Sequence, residues 1–321
     1  VLHQVKDPAI PLLERLKFLC IVSTNLDEFF EIRVSGLRQR KELGLPPQGP
    51  ELLSASQALS DISQRAHQLV DEQYRLLNSE LIPALETAGI RFIRRTRWRP
   101  AHREWLRNYF YREIEPVLSP TSLDPARPFP RILNKSLNFF VGLNGIHAFG
   151  RPCQRAIVQA PRSLPRLIRL DPSLPETGAN DFVFLSSVIH AFVDELFAGM
   201  EVQGCHQFRV TRNSDLYVES EEVEDLMQVV EGQLIATRYG EAVRLEVAHN
   251  CPKEHVDFLL EMFELDEQDL YRVDGPVNLN RLVAVSAIPG RDDLRHPHFT
   301  PGLQKAMLAA DDIFSAISNG D

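Results

Sequence analysis

The sequence of 321 residues contains no long hydrophobic run, and this excludes one broad class of protein at the outset. No stretch approaches the roughly 20 consecutive apolar residues that a membrane-spanning helix needs. The first residues, Val1 to Asp7, also lack the apolar core of a secretory signal peptide. We therefore expect a cytoplasmic protein. Because residue 1 is Val rather than Met, we expect the chain to be a piece of a longer one.

Basic residues are fewer than acidic ones. The chain has 35 Lys and Arg against 44 Asp and Glu, which gives a net charge of −9. A general nucleic-acid surface needs a basic excess to neutralise phosphates, so we expect no nucleic-acid partner, although a local basic groove remains compatible with this composition. Cysteine is scarce, and no two cysteines form a CxxC pair, which favours a reducing compartment over a disulfide framework or a zinc site. The four are Cys20, Cys153, Cys205 and Cys251.

Self-sufficient catalytic motifs are missing from the sequence. There is no Gly-x-x-x-x-Gly-Lys phosphate loop and no Gly-x-Gly-x-x-Gly fingerprint. Ser122, Ser186 and Ser187 lack the Gly-x-Ser-x-Gly context of a hydrolase nucleophile. His296 and His298 flank a proline without further ligands nearby, so we interpret them as part of a linker and predict no metal site.

The chain has two regions that differ in their pattern of apolar residues, and together they predict a multidomain protein of the α and α+β classes. Residues 1–89 read as an antiparallel helical bundle. Its first helical stretch covers residues 11–40 with a break at Ser23-Thr24-Asn25, a loop follows at residues 43–50, and a long helix covers about 56–81. Gln73 is the one polar residue on the apolar stripe of that long helix.

Residues 90–300 alternate short β-rich runs with helices, which predicts an α+β head domain with a largely antiparallel sheet. Residues 301–321 then read as a linker and helix at the start of a third domain. The predicted strands are 90–93, 137–143, 156–160, 207–211 and 243–247, and the predicted helices are 100–114, 185–197, 222–235, 253–263 and 303–317.

Asn25 is the first candidate site residue. Its side chain suits a helix cap, because Glu28 follows three residues later as in a capping box. Alternatively the amide faces a cleft and hydrogen-bonds a ligand, and a helix start would also favour nearby anions. Asp27 and Glu28 diverge by about 100° on a helix, so we expect them to favour the helix dipole rather than to share acid–base chemistry.

An arginine run between residues 91 and 99 is the strongest basic cluster of the chain. Guanidinium groups bind phosphates with two parallel hydrogen bonds, so the run is a candidate polyanion site. The alternative is a solvated strand edge at a domain boundary. Its members are Arg91, Arg94, Arg95, Arg97 and Arg99, interleaved with Phe92 and Trp98.

Five blocks in order along the chain resemble the bacterial polyphosphate kinase family. The first, residues 11–34, carries the Ser-Thr-Asn-Leu-Asp-Glu-Phe-Phe core, and in the second this chain has Arg127 where many relatives have His. Together the blocks are specific, although each alone is weak. The other four are residues 123–138, 208–216, 243–247 and 270–279.

The resemblance implies a reaction and one residue role. The family transfers the γ-phosphoryl group of ATP reversibly to inorganic polyphosphate through a phosphohistidine, with Mg²⁺ and arginines in its catalytic half. The family's asparagine that contacts ATP corresponds to Asn25. The resemblance also implies a homo-oligomer, a cytoplasmic location with peripheral contact to the inner membrane face, and catalytic histidines beyond Asp321. We expect this segment alone to be inactive. A non-enzymatic oligomerisation or polyanion-binding module is the alternative interpretation.

Overall fold

The computed structural model describes residues 1–46, 53–124, 128–146, 153–213, 240–299 and 312–318. Arg127 and the helix that the sequence predicts at 222–235 lie outside these ranges, as does most of the one at 303–317. The helices are α1 Leu2–Lys6, α2 Leu12–Phe29, α3 Ser35–Glu42, α4 Ala55–Leu76, α5 Ile82–Thr87, α6 Pro100–Tyr109, α7 Leu185–Phe192, α8 Lys253–Phe263, α9 Val283–Ser286 and α10 Ile313–Ser318.

Helix α2 runs without interruption through the residues that the sequence marks as a break. The Thr24 hydroxyl donates to the carbonyl of Cys20 at 3.2 Å, so this side chain is satisfied inside the helix. Helical structure then passes through a π-helical turn at Phe30–Val34 directly into α3. The predicted helix start at Ser23-Thr24-Asn25 is therefore wrong, and Asn25 is not a cap.

Helix α4 packs antiparallel to α2, which confirms the predicted bundle. Arg15 near the start of α2 meets Glu80, beyond the end of α4, at 3.2 Å. Gln73 of α4 is buried, and its amide donates to the carbonyl of Leu19 at 3.0 Å. The polar residue on the apolar stripe thus has a partner, because a buried amide left without one would be costly.

Two sheets follow the helical region. The larger has the strand order β2-β4-β3-β7-β8-β9 and is antiparallel except for the parallel pair β8–β9. The smaller has the order β1-β6-β5, with β1 and β6 parallel. The strands are β1 Ile90–Phe92, β2 Ser119–Ser122, β3 Leu137–Asn144, β4 Arg155–Ala160, β5 Leu167–Arg169, β6 Asn180–Phe184, β7 Glu201–Arg212, β8 Ala242–Ala248 and β9 Leu270–Val273.

The apolar core continues from the helices into the head region. One cluster of buried side chains joins Leu13 and Leu81 of the helical region with Phe139 of β3 and Val183 of β6. A second cluster lies between the large sheet and α8, around Phe208 and Leu259. The predicted division at residues 89 and 90 stays a prediction. The shared core places α2 directly against the large sheet.

Candidate functional site

Helix α2 has one side against the large sheet and another in solvent, and the candidate site residues are divided between the two. Asp27 lies on the buried side and is 3% exposed. Asn25 and Glu28 are exposed. The sequence placed all three in one first helical turn, whereas the structure separates the buried carboxylate from the exposed amide.

Asp27 is held by two arginines that come from adjacent strands of the large sheet. Arg209 of β7 donates to both carboxylate oxygens, from Nη1 at 2.8 Å and from Nη2 at 2.9 Å. Arg244 of β8 donates to Oδ1 of the same carboxylate. Glu246 of β8 completes the group, since its Oε2 accepts from Arg209 Nε at 2.6 Å and lies 3.1 Å from Arg244 Nη2.

This group of Asp27, Arg209, Arg244 and Glu246, the α2–sheet charge cluster, is almost entirely removed from water. Its two positive and two negative side chains balance, and none is more than 5% exposed. Burial by itself raises the pKa of Asp27, but the positive charges of Arg209 and Arg244 outweigh it and hold that pKa below 3.8. Burial would likewise lower the pKa of Arg209, but Asp27 and Glu246 raise it above its ordinary value.

Aromatic rings cover the guanidinium group of Arg244. The Cζ atom of Arg244 lies 4.7 Å from the centre of the Phe30 ring and 5.8 Å from the centre of the Tyr271 ring. A desolvated arginine over an aromatic face gains attraction from the ring quadrupole. Phe30 belongs to the π-helical turn after α2, and Tyr271 belongs to β9. The cluster therefore joins α2 to β7, β8 and β9.

A second contact fixes the end of α2 to the loop before β3. Glu31 accepts from the Asn134 amide at 2.6 Å and from Lys135 Nζ at 2.8 Å. Lys135 has a φ of 55°, a left-handed conformation that non-glycine residues rarely adopt. Because Asp27 and Glu31 both bind the head region, the stretch of α2 around Asn25 is held in place on its buried side.

Asn25 itself is left available for a ligand. Among the residues that the structure describes, its amide has no hydrogen-bond partner. Its surroundings are partly apolar, since Phe29 is 37% exposed and Ile32 is 38% exposed. An amide both donates and accepts hydrogen bonds, and apolar side chains beside it suit a flat ring or a packed protein surface.

The structure divides the arginine run between two cavities. Arg91, Arg97 and Arg99 line one of them, and Arg94 and Arg95 line the other. Arg91 binds the buried carboxylate of Asp181, with Nε at 2.7 Å from Oδ1. Arg97 pairs with Glu86 at 3.0 Å, and Arg99 pairs with Glu176 at 2.5 Å. Arg95 contacts His190. Arg94 is exposed and has no partner within the described part of the chain.

Two family models match consecutive parts of the chain. The polyphosphate kinase N-terminal domain matches residues 1–93, and the polyphosphate kinase middle domain matches residues 101–285. The chain belongs to the polyphosphate kinase family. This confirms the resemblance of the five sequence blocks, and α2 with the large sheet spans both matched regions.

Named relatives agree with the family assignment. A polyphosphate kinase of Pseudomonas putida is 52% identical over 321 residues, which cover 100% of this chain and 44% of that protein. One of Neisseria gonorrhoeae is 49% identical over 317 residues, which cover 99% of this chain and 46% of that protein. The crystal structure of polyphosphate kinase from Porphyromonas gingivalis shares the fold, with a TM-score of 0.76 at 24% identity over 98% of this chain and 43% of that one. The chain thus spans less than half the length of these polyphosphate kinases.

The described residues contain neither a cluster of metal ligands nor a helix suited to a membrane. In the described ranges, no three side chains among His, Cys, Asp and Glu come together as a metal site. The Mg²⁺ that the family resemblance implies therefore finds no such set of ligands among the described residues. Over the same ranges, no helix combines the length and apolarity needed to cross a membrane.

Sequence reasoning missed the partners of Asp27, although a signal for them exists. Arg209 stands between Phe208 and Val210, and Arg244 and Glu246 alternate with apolar residues in β8. Charged side chains inside a strand that is otherwise apolar on both faces need a buried partner. That pattern indicates a buried ion pair, but it does not say which carboxylate supplies it.

Proposed function

We propose that the protein containing this chain transfers the γ-phosphoryl group of ATP reversibly to inorganic polyphosphate through a phosphohistidine. Membership of the polyphosphate kinase family carries this proposal. In the first step a histidine nitrogen bonds to the γ-phosphorus and ADP leaves, and in the second the phosphoryl group passes to the end of the polyphosphate chain. We assign the histidine to neither His296 nor His298 nor any other histidine of this chain, so the segment alone is inactive.

Asn25 is the residue that we propose for ATP binding. The contacts of Asp27 with Arg209 and of Glu31 with Asn134 fix the helix that carries Asn25. The free amide of Asn25 is therefore oriented before the ligand binds. Glu28 lies three residues further along α2 and is exposed, and its negative charge disfavours phosphates nearby. The amide therefore suits the base or ribose of the nucleotide rather than its triphosphate.

Substitution of Asn25 in a full-length polyphosphate kinase that carries this chain tests the assignment. We expect Asn25→Ala to raise the KM for ATP about tenfold, which corresponds to about 1.4 kcal/mol and is the size of one or two hydrogen bonds. The melting temperature should change by less than about 2 °C, because the exposed amide has no partner to lose.

Gln64→Ala is the matched control, since Gln64 is an exposed helical amide on α4 without a hydrogen-bond partner among the described residues. It should leave both the KM and the melting temperature unchanged. An unchanged KM for Asn25→Ala, or a fall in melting temperature without a change in KM, contradicts a role in ATP binding.

We also propose the substrates, the metal ion, the oligomeric state and the location of the enzyme. We propose ATP, ADP and inorganic polyphosphate as its partners, Mg²⁺ bound by residues of its catalytic half, a homo-oligomeric state and a cytoplasmic location. Light scattering of the full-length protein checks the oligomeric state, and a strictly monomeric protein would remove that part of the proposal.

A further inference from the structure

One cavity lies where the helical region meets the small sheet and the large one. Its volume is ≈ 520 Å³, which falls within the range of about 300–1,000 Å³ that small-molecule sites occupy. Among the described residues, none from α2 lines it, so it is a different place from the α2 face that carries Asn25. We name it the strand-end cavity, and its wall includes Arg95, Ser187, Gln207 and Asn250.

Four strands end at the strand-end cavity. β1 and β6 are parallel neighbours in the small sheet, and β8 and β9 are parallel neighbours in the large one. The residues that follow their carboxyl ends belong to the wall, namely Arg95 after β1, Ser187 after β6, Asn250 after β8 and Asp274 after β9. In sheets with parallel strands, ligands bind in the crevice outside the carboxyl ends. The topology therefore indicates a ligand site at this position.

Two arginines bring positive charge to the wall of the cavity. Arg94 is exposed and has no partner within the described part of the chain. Arg95 is exposed as well, and its Nη1 donates to the Nδ1 atom of His190 rather than to a carboxylate. Burial and the positive charge of Arg95 lower the pKa of His190, so its ring is neutral at pH 7 and leaves the guanidinium charge uncompensated. Both arginines are therefore available to an anion.

The first turn of helix α7 belongs to the same wall. The N–H group of Leu185 donates to the carbonyl of Arg166 at 3.0 Å, whereas Ser186 and Ser187 come too early in the helix to have an intrahelical partner. The helix has neither a side-chain cap nor an acidic residue at its start. Backbone N–H groups in this position bind anions, and the two serine hydroxyls add further donors.

Gln207 of β7 gives a separate indication of a ligand. Its Nε2 donates to the carbonyl of Gly275 at 2.8 Å, which fixes the orientation of the amide. Its Oε1 is buried and has no hydrogen-bond partner among the described residues. A buried acceptor without a donor is costly. A ligand that donates a hydrogen bond to Gln207 would remove that cost.

The rings of Phe92 and Phe184 form an apolar part of the wall. They are stacked, with centres 5.3 Å apart and planes at 15°. Flat apolar groups pack well against such rings. Asp274 brings a carboxylate to the wall next to Asn78, whose amide donates to the Asp274 carbonyl at 2.7 Å. An anionic group is therefore favoured at the ends of β1 and β6 and disfavoured at the end of β9.

We propose that the strand-end cavity binds a phosphate monoester with a compact, flat body. Because β1 and β6 are neighbours, residues 94–95 and 186–187 follow adjacent strand ends and offer donors to a single phosphate group. A phosphate monoester keeps one hydroxyl below its second pKa of about 6. That hydroxyl can donate to Gln207, whereas a carboxylate or a sulfate ester has none. The flat body packs against Phe92 and Phe184, and the proposal does not depend on the reaction proposed above.

Titration calorimetry of the 321-residue chain with phenyl phosphate tests the proposal. Inorganic phosphate, phenyl sulfate, benzoate, ATP and long-chain polyphosphate are the comparison probes, each titrated at pH 6 without Mg²⁺. Ser187→Asp places a negative charge in the site while it favours the dipole of α7, so the fold should be retained. Its matched control is Ser56→Asp, which places the same charge in the first turn of α4, outside the cavity.

We expect phenyl phosphate to bind at least about tenfold more tightly than benzoate or phenyl sulfate, and more tightly than inorganic phosphate. Ser187→Asp should weaken its binding at least about tenfold, and Ser56→Asp less than about twofold. Arg95→Gln should also weaken it about tenfold, with the exposed Arg112→Gln as its control. Circular dichroism and melting curves of each variant establish that the fold is retained.

Absence of phenyl phosphate binding would overturn the proposal, and so would equal losses in Ser187→Asp and Ser56→Asp, which would mean general charge repulsion. Binding of benzoate or phenyl sulfate as tight as that of phenyl phosphate would overturn the choice of a phosphate monoester. If ATP or long-chain polyphosphate binds more tightly than phenyl phosphate and Ser187→Asp weakens that binding, the cavity belongs to those molecules and the proposed ligand is wrong.

Discussion

Two regions are rich in arginine, namely the contact between α2 and the large sheet, and the end of β1 with the turn that follows it to residue 99. Their arginines are used differently. At the α2–sheet charge cluster, Arg209 and Arg244 come from separate strands and share buried carboxylates. In the turn, Arg97 and Arg99 extend into solvent and each meets one exposed carboxylate. The run that is dense in sequence thus lies at the surface, with three of its arginines around one cavity, whereas the buried cluster draws its members from distant parts of the sequence.

The difference shows what burial adds to an ion pair. In water two exposed charges gain little, since solvent screens them and both side chains lose freedom. In a core, removal of one partner leaves another charge buried without compensation. Stability should therefore depend on the α2–sheet charge cluster far more than on the turn, although the turn has more arginines.

The largest expected effect is that of Asp27→Asn. It leaves Arg209 and Arg244 buried with one negative charge fewer, so the free energy of unfolding should fall by about 3–5 kcal/mol. Urea unfolding of the 321-residue chain followed by circular dichroism measures this. Glu28→Gln, at the exposed neighbouring position, is the control and should change stability by less than about 0.5 kcal/mol. Similar losses for the two variants would contradict the comparison.

Lowering the pH should reduce the free energy of unfolding through the same carboxylate, Asp27, by less than the substitution does. The pKa of Asp27 lies below 3.8 in the folded chain, so its contribution is complete above that value and is lost as the pH falls through the folded pKa. Below about pH 4 its share of the unfolding free energy should decline by about 1.4 kcal/mol per pH unit. The stability difference between the original chain and Asp27→Asn should therefore narrow between pH 5 and pH 3, and a constant difference would argue against the lowered pKa.

Substitutions of the exposed arginines after β1 should change the free energy of unfolding least. Arg97→Gln and Arg99→Gln should each lower the free energy of unfolding by less than about 1 kcal/mol, because all the charges involved are exposed. Arg91→Gln tests the role of burial directly, because the partner of Arg91 is the fully buried Asp181, which would lose a bidentate hydrogen-bonded ion pair. We expect it to cost about 1–3 kcal/mol. If all three variants cost the same in urea unfolding, burial of the partner is not what distinguishes the regions.

Much of the fold follows from local patterns in the sequence. Strands β3, β4, β7 and β8 are long or apolar enough to be recognised from their residues alone. Four strands were missed. Strand β2 contains a proline and β5 has only three residues. Strands β6 and β9, of five and four residues, were not predicted either. The predicted break in α2 was wrong because a Ser-Thr-Asn string is typical of caps, whereas Thr24 here bonds back to Cys20 within the helix.

The candidate site was less accessible to sequence reasoning. The local pattern around Asn25 suggested either a helix cap or a ligand-binding amide, and only the family resemblance connected this residue with ATP. Asp27 was interpreted as a first-turn carboxylate that favours the helix dipole, since one arginine that neutralises it lies 182 residues away in sequence. A pattern at one position cannot reveal a partner supplied by a distant strand.

That separation in sequence has a consequence for synthesis on the ribosome. Asp27 emerges long before Arg209, from which it is separated by 182 positions, and Arg244 follows at a separation of 217. Until both strands have been made, the Asp27 carboxylate of the nascent chain lacks the two arginines that bind it in the folded structure. Helix α2 leaves the exit tunnel before β7 and β8 and is therefore among the last elements to acquire its final surroundings, and a translational pause before β8 would prolong its exposure to chaperones.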